Sequence, residues 1–194
     1  MKLSLHVSNP TPDAWIRAVL RDFNTFLIDH ADCERKASAM ALSMVAKYPD
    51  RHEIIPDLIE TALEELEHFK LVYQIMSARG IKLAPSMPED PYIKALMANM
   101  KTPVMQRFMD RLLVGSLVEM RGAERFKLVE ESLEDPELKK FYKMLWTSEA
   151  KHGNIYVKMA LTYFDETQVY ERLAWWVKQE GLIVSELPIR AALH

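Results

Sequence analysis

Apolar residues recur every three to four positions along most of the chain, which is the spacing of one face of an α-helix. No segment shows a convincing alternation of apolar and polar residues with the period of two that a half-buried strand requires. The pattern therefore predicts an all-α protein. The helical spacing is interrupted at Tyr48-Pro49-Asp50 and at Gly80, where residues that end helices occur.

Capping residues and prolines divide this pattern into separate helices. Asp13 can cap a first helical stretch, which is either one bent helix or a short helix followed by a long one. Asp135 can cap a later helix, with Pro136 in its first turn. The predicted helical stretches are 14–47, 53–78, a short one at 92–100, 103–132, 136–164, and a last one that starts at Asp165 or Thr167 and ends before Pro188.

The order of these helices predicts an architecture. Two long helices come first, a proline-rich connection at 81–102 follows, and then come two more long helices and an extra C-terminal helix. One long crossover between two helix pairs is the ferritin-like variant of the four-helix bundle. The length of 194 residues suits a single domain, so we expect residues 1–194 to form one ferritin-like domain.

Charge and cysteine content narrow the possible functions. The formal net charge of −3 does not indicate a general nucleic-acid binder, although a local basic patch is compatible with it. Cys33 is the only cysteine, which excludes a disulfide framework and a cysteine-based zinc or iron–sulfur site within one chain. No stretch has the apolar length of a secretory signal or a membrane span, so we expect a soluble cytoplasmic protein without a membrane partner.

Glutamates and histidines form a repeated pattern. Two of the six histidines follow a glutamate by three residues, and a further glutamate precedes each of these pairs by about 30 residues. An i, i+3 spacing lets a glutamate and a histidine reach one site from a single helix turn. The set of six candidate metal ligands is Glu34, Glu65, His68, Glu119, Glu149 and His152.

The surroundings of these carboxylates favour metal binding over solvation. A lone helical glutamate is usually solvated, but each of these four lies on a helix face with apolar or small neighbours. Burying an unpaired carboxylate costs several kcal/mol, and no lysine or arginine lies on these faces to compensate. Two bound divalent metal ions would supply the compensating positive charge. The donor atoms suit iron or manganese rather than copper(I), and diiron carboxylate bundles use this ligand pattern.

Four segments carry a resemblance to a known family. They are HADCERKASAMALSMV around Glu34, ALEELEHF around His68, LVEMRGAERF around Glu119 and TSEAKHGNIYV around His152. Over most of its length the chain resembles the tRNA hydroxylases that act on 2-methylthio-isopentenyladenosine next to the anticodon. The resemblance implies a non-haem diiron monooxygenase that hydroxylates the isopentenyl side chain, with two iron ions, dioxygen as co-substrate and no catalytic residue beyond the metal ligands.

The same resemblance assigns roles and partners. By analogy with diiron bundles, Glu65 and Glu149 would bridge the irons, Glu34 and Glu119 would be terminal ligands, and each histidine would bind one iron. Electrons would come from an external donor protein, since nothing in the chain is typical of a flavin, nicotinamide or iron–sulfur site. The two iron ions would carry out the oxygen chemistry, while the protein would position the substrate and exclude water.

A tRNA substrate also requires cations for its phosphates. Residues 79–111 have a local excess of positive charge and are the predicted tRNA surface, although such residues are often only solvated. The predicted contacts are Arg79, Lys82, Lys94, Lys101, Arg107 and Arg111. Two other classes stay open: a ferritin-like protein that stores iron or reduces peroxide, and a metal-free helical interaction protein. We expect a monomer or a small homo-oligomer rather than a ferritin cage.

Overall fold

A computed structural model describes residues 6–86 and 89–194. Within these ranges the chain forms seven α-helices and no strand, as the apolar spacing predicts. The helices are α1 (Asp13–Arg21), α2 (Phe23–Lys47), α3 (Ile55–Ala78), α4 (Pro91–Ala98), α5 (Val104–Ser132), α6 (Pro136–Tyr163) and α7 (Glu166–Glu186).

Aspartates fix the starts of several helices. Asp135 accepts hydrogen bonds from the backbone N–H groups of Glu137 (2.9 Å) and Leu138 (3.2 Å). Asp165 does the same at α7 and Asp90 at α4. These caps satisfy N–H groups that have no partner inside a helix. The predicted starts of these helices are correct to within a residue or two.

The first helical stretch is two helices rather than one bent helix. Asp22 separates them: its N–H donates to Ala18 O of α1 at 3.2 Å, and its carboxylate accepts from Thr25 N of α2 at 3.1 Å. The residue therefore ends one helix and caps the next. Gly80 ends α3 with a φ of 69°, a conformation that glycine adopts without steric cost.

The described chain divides into two compact units. The α2–α3 unit contains α1, α2, α3 and residues 189–193. The α5–α6 unit contains α4 to α7, the segment 6–13 and His194. Each unit is built around one pair of long helices, and each of these pairs contains one of the repeated Glu and E-x-x-H patterns.

In the α2–α3 unit, side chains of the two long helices interlock. Ser38 Oγ donates to Ala62 O at 2.8 Å, which joins α2 to α3 directly. The C-terminal residues pack on the same unit, because Leu193 N donates to Asp29 Oδ2 at 2.7 Å and Trp15 Nε1 donates to Ala192 O at 2.9 Å.

In the α5–α6 unit, the two long helices approach closely at Gly153. Ser116 Oγ of α5 donates to Gly153 O of α6 at 2.8 Å, and a Cβ at position 153 would lie 2.9 Å from Met120 Sδ. The close contact explains a glycine in the middle of a helix, where it costs roughly 1 kcal/mol relative to alanine. None of the described helices is both long enough and apolar enough to cross a membrane.

Candidate metal centre

The α2–α3 unit brings three of the predicted ligands together. Glu34 of α2 and Glu65 and His68 of α3 are buried, with 3%, 1% and 4% of their surfaces exposed. Their ligand atoms lie within 4.8 Å of one another. His68 Nδ1 lies 3.5 Å from Glu34 Oε2 and 3.3 Å from Glu65 Oε2. The three side chains therefore form one half-site in the interior of the protein.

A histidine that was not predicted lies beside this half-site. His30 is fully buried one turn before Glu34, and its Nε2 lies 2.6 Å from Glu34 Oε1. Burial raises the pKa of the Glu34 carboxyl, but hydrogen bonds from His30 and His68 lower the pKa by more, to well below its usual range. Glu34 is therefore held as a carboxylate, the form that binds metal. The signal in the sequence for this contact is that His30 lies four residues before Glu34, which places both side chains on one helix face.

The α5–α6 unit brings together the other three predicted ligands. Glu119 of α5 and Glu149 and His152 of α6 are buried, with 2%, 5% and 0% of their surfaces exposed. Their ligand atoms also lie within 4.8 Å of one another, and His152 Nδ1 lies 3.8 Å from Glu119 Oε2. The second half-site therefore repeats the donor set of the first.

The donor atoms fit divalent metal ions. Each half-site offers two carboxylates and one imidazole, which are ligands of iron, manganese and zinc. Glu119 Oε1 is buried and has no hydrogen-bond partner among the described residues. A buried carboxylate oxygen without a partner is costly, and a metal ion would satisfy it.

The Arg-Gly-Ala-Glu-Arg-Phe run after Glu119 holds α5 in a buried polar network. Arg121 is fully buried and donates to both carboxylate oxygens of Glu180 on α7, at 2.8 and 2.9 Å. It also donates to Glu124 Oε2 at 2.6 Å, and Glu124 accepts from Thr11 N at 2.7 Å. The network fixes the helix that carries Glu119. Its partners are far apart in the sequence, so local patterns could not predict it.

Space is left beside one ligand in the same run. A Cβ built at Gly122 would lie 3.7 Å from Glu149 Oε2, which is an ordinary contact distance. No clash therefore requires the glycine, and its missing Cβ leaves room for about one methyl group next to the Glu149 carboxylate. α5 is a regular α-helix through Gly122.

The residues predicted to contact tRNA lie in different settings. Arg79 and Lys82 follow α3, and Arg79 lies over the ring of Phe23, 5.6 Å from its centroid. Lys94 in α4 is exposed and pairs with Glu89 at 3.0 Å. Lys101, before α5, is exposed too, whereas two others on α5 are half-buried: Arg107 and Arg111. Arg111 Nε is buried without a hydrogen-bond partner among the described residues.

Comparison with known structures defines the class of protein. The chain matches the structure of "Protein 43 with aldehyde deformylating oxygenase activity from Synechococcus" with a TM-score of 0.92 and 32% sequence identity. The match covers 98% of this chain and 96% of the other. The fold and the two half-sites place the protein among the ferritin-like all-α proteins with buried carboxylate and histidine donors, and the predicted fold class is confirmed.

Sequence comparison identifies the family within that class. The family model described as tRNA-(MS[2]IO[6]A)-hydroxylase (MiaE) matches residues 2–194, and the chain belongs to this family. The chain is 41% identical over 160 residues to the tRNA 2-(methylsulfanyl)-N(6)-isopentenyladenosine(37) hydroxylase of Pseudomonas putida, which covers 82% of this chain and 77% of that protein. It is 27% identical over 200 residues to the protein of the same name from Salmonella typhimurium, and this match covers 78% of this chain and 73% of that protein.

Proposed function

We propose that this protein is a diiron monooxygenase that hydroxylates the isopentenyl side chain of 2-methylthio-isopentenyladenosine in tRNA. The observation that carries the proposal is the buried, repeated set of two carboxylates and one imidazole in a chain that matches a tRNA hydroxylase family over its whole described length. The proposed iron ligands are Glu34, Glu65, His68, Glu119, Glu149 and His152.

The two units act as one ferritin-like domain in this proposal, and each supplies half of the donor set. By analogy with diiron bundles, Glu65 and Glu149 would bridge the two metal ions, while Glu34 and Glu119 would bind one each. Iron bound there would supply the redox chemistry that activates dioxygen for attack on a C–H bond. His30 keeps Glu34 ionised and oriented, because its Nε2 lies 2.6 Å from Glu34 Oε1.

Side chains around the second half-site suit an apolar substrate group. Tyr142, Leu145 and Tyr156 on α6 are buried on the same helical face as Glu149. Apolar and aromatic walls exclude water from the reacting centre and accept an isopentenyl group. The methyl-sized space beside Gly122 adjoins Glu149 and is a candidate position for dioxygen or for the terminal methyl group.

The tRNA would be held by cations of residues 79–111, which are Arg79, Lys82, Lys94, Lys101, Arg107 and Arg111. The exposed members support this assignment more strongly than Arg111, whose Nε is buried. Reversing two charges with Lys94→Glu and Arg107→Glu should weaken tRNA binding and lower its salt dependence by about one unit of slope per lost phosphate contact. Unchanged binding would contradict the assignment.

A product assay tests the reaction. Iron-loaded, reduced protein is mixed with dioxygen and with tRNA that carries the isopentenyl modification, and nucleoside digests are analysed for the hydroxylated nucleoside. We expect product from the wild-type protein and none from Glu65→Ala or His152→Ala. If the wild-type protein forms no product in a single turnover but oxidises iron with peroxide, the iron-storage or peroxide-reducing alternative is correct.

The proposed substrate also implies a location and an assembly state. A tRNA-modifying enzyme would act in the cytoplasm, and the buried half-sites do not require a cage. We expect a monomer or a small homo-oligomer with an external electron-transfer partner. Sedimentation velocity of the iron-loaded protein checks the assembly state, and a particle of twenty or more chains would contradict it.

A further inference from the structure

The outer face of α6 carries a concentrated positive charge. Between positions 138 and 163 the helix has five lysines, and its one acidic residue is Glu149, which is only 5% exposed. The whole chain, by contrast, has a net charge of −3. We call these residues the α6 lysine face: Lys139, Lys140, Lys143, Lys151 and Lys158. All but Lys139 are exposed.

The register of α6 places this charge directly behind the second half-site. At 3.6 residues per turn, Lys140, Lys151 and Lys158 fall on the side of the helix opposite to Glu149 and His152. An α-helix with its side chains is about 10–12 Å across. A partner seated on the α6 lysine face is therefore separated from these two ligands by the thickness of one helix.

We propose that the α6 lysine face docks an acidic protein that carries single electrons, which would reduce the diiron centre of the proposed function. The face points away from the ligands, so an RNA bound there could not insert its modified base between them. Electron transfer needs no opening in the protein, only a short separation. The position of the charge behind the ligands therefore favours an electron carrier over the tRNA.

The composition of the face supports the same partner. Its cations are all lysines, and the spaces between them hold residues such as Met144, Thr147 and Asn154. The aromatic side chains of α6 are buried or half-buried. Single-stranded nucleic acids are usually bound with exposed aromatic platforms. Rows of point charges instead steer a transient encounter with a complementary surface, as in weak redox complexes.

Residues at the start of α6 and on the neighbouring helix α5 reduce this charge at one end of the face. Lys127 on α5 lies 5.9 Å from the centroid of the Trp146 ring of α6 and adds a further cation. The ammonium of Lys127 also lies 3.9 Å from Glu131 Oε1, so this pair is close to neutral. At the start of α6, the exposed Glu134, Asp135 and Glu137 offset part of the charge of Lys139 and Lys140, so the excess of positive charge is largest around Lys143, Lys151 and Lys158.

The stoichiometry of the proposed reaction makes an external reductant necessary. Converting one C–H bond and one dioxygen molecule into a C–OH group and one water takes up two electrons and two protons. A one-electron carrier must therefore deliver an electron twice in each turnover. Repeated delivery favours fast binding and release, which charge steering provides.

Charge reversal on α6 tests the proposal directly. The variant Lys143→Glu/Lys151→Glu/Lys158→Glu is compared with a matched control on other helices, Lys47→Glu/Lys70→Glu/Lys178→Glu, whose lysines are also exposed. The probe is an acidic plant-type [2Fe–2S] ferredoxin, and its binding to metal-free and iron-loaded protein is measured by biolayer interferometry at several salt concentrations. Circular dichroism confirms that both variants fold.

We expect the α6 variant to bind ferredoxin at least about tenfold more weakly than the wild type, and the control to change by less than about twofold. The affinity for tRNA should stay within about twofold in both variants. Three results would overturn the proposal: no ferredoxin binding by the wild type at low salt, equal losses in the two variants, or a selective loss of tRNA binding, which would assign the face to RNA.

Turnover with two reductants separates this proposal from the proposed function. With sodium dithionite, the wild type and the α6 variant should form the same amount of hydroxylated nucleoside. With reduced ferredoxin, only the α6 variant should slow, by at least about tenfold. Absence of product from the wild type with dithionite contradicts the proposed function itself. An unchanged ferredoxin-driven rate in the α6 variant contradicts only the docking face.

Discussion

The α2–α3 unit and the α5–α6 unit contain the same ligand pattern on their inner faces but differ in almost everything around it. In each unit one helix provides a glutamate and the next provides E-x-x-H, with all three side chains buried. Metal chemistry fixes the type and spacing of these donors. The residues around the ligands are free to differ, and their differences indicate separate tasks for the two units.

The outer faces of the two E-x-x-H helices differ in charge. On α3, the exposed charged residues are Glu60, Glu67 and Lys70, and the last two form an ion pair. Apolar side chains are exposed there too, such as Leu63, which is 57% exposed. On α6, the exposed charges from 138 to 163 are all lysines. The contrast teaches that a repeat can keep its ligands while each copy acquires a surface for its own partners.

The residues one helical turn before Glu34 and Glu119 also differ between the two units. Glu34 has His30 at i−4, with the imidazole 2.6 Å from the carboxylate. Glu119 has Gly115 at i−4, where a Cβ would lie 3.1 Å from the ring of Tyr156. One half-site therefore has an imidazole beside its glutamate, and the other has an aromatic wall. We expect the two metal ions to be chemically inequivalent.

The largest expected effect comes from removing one ligand in either unit. Glu65→Ala and Glu149→Ala should each abolish hydroxylation, because each removes a proposed bridge between the two metals. Iron content, measured by mass spectrometry of metals, should fall in both. Glu67→Ala, an exposed glutamate on the same helix as Glu65, is the control and should retain product and iron. Full activity of either ligand variant would show that the two units are not equivalent in metal binding.

The buried ion pair gives the next largest effect, on folding. Replacing Arg121 by alanine leaves the carboxylate of Glu180 buried without its main cation, and should lower the free energy of unfolding by about 3–5 kcal/mol. Urea denaturation followed by circular dichroism measures the change. Arg17→Ala, at an exposed position of α1, should change stability by less than about 0.5 kcal/mol. Equal changes would contradict a special role of the network in the α5–α6 unit.

His30, which has no counterpart before Glu119, should give a smaller and more local effect on metal binding. His30→Ala removes one hydrogen-bond partner of Glu34 and should weaken iron binding about 10–100-fold, as for other groups that orient metal ligands. Competition with a chelator of known affinity measures this change. We expect one of two iron ions to be released first in the variant. Unchanged affinity for both ions would remove the proposed difference between the half-sites.

The outer faces should have the smallest effect on stability. Leu63→Gln on α3 and Lys143→Gln on α6 change exposed side chains, and each should alter the free energy of unfolding by less than about 0.5 kcal/mol. Urea denaturation again provides the measurement. A loss above about 1 kcal/mol in either variant would mean that the face is packed against another part of the assembly rather than available to a partner.

The sequence predicts the helices and the ligands well because their signals are local. Gly80, Asp135 and Asp165 act on their own helix ends, and the E-x-x-H spacing lies within one helical turn. The buried network is different, since Arg121 pairs with Glu180 far along the chain and nothing nearby in the sequence marks the pair. The break at Asp22 lies between these cases, because an aspartate cap was present but no proline or glycine marked the end of α1.

The most direct test of the central claim is the number of iron ions bound per chain. Protein prepared without metal is loaded anaerobically with ⁵⁷Fe(II), freed of excess iron and examined by metal analysis and Mössbauer spectroscopy. The two half-sites predict two iron ions per chain and two quadrupole doublets of equal area. Less than about 0.5 iron per chain after loading, or the spectrum of a single mononuclear site, would contradict a diiron centre.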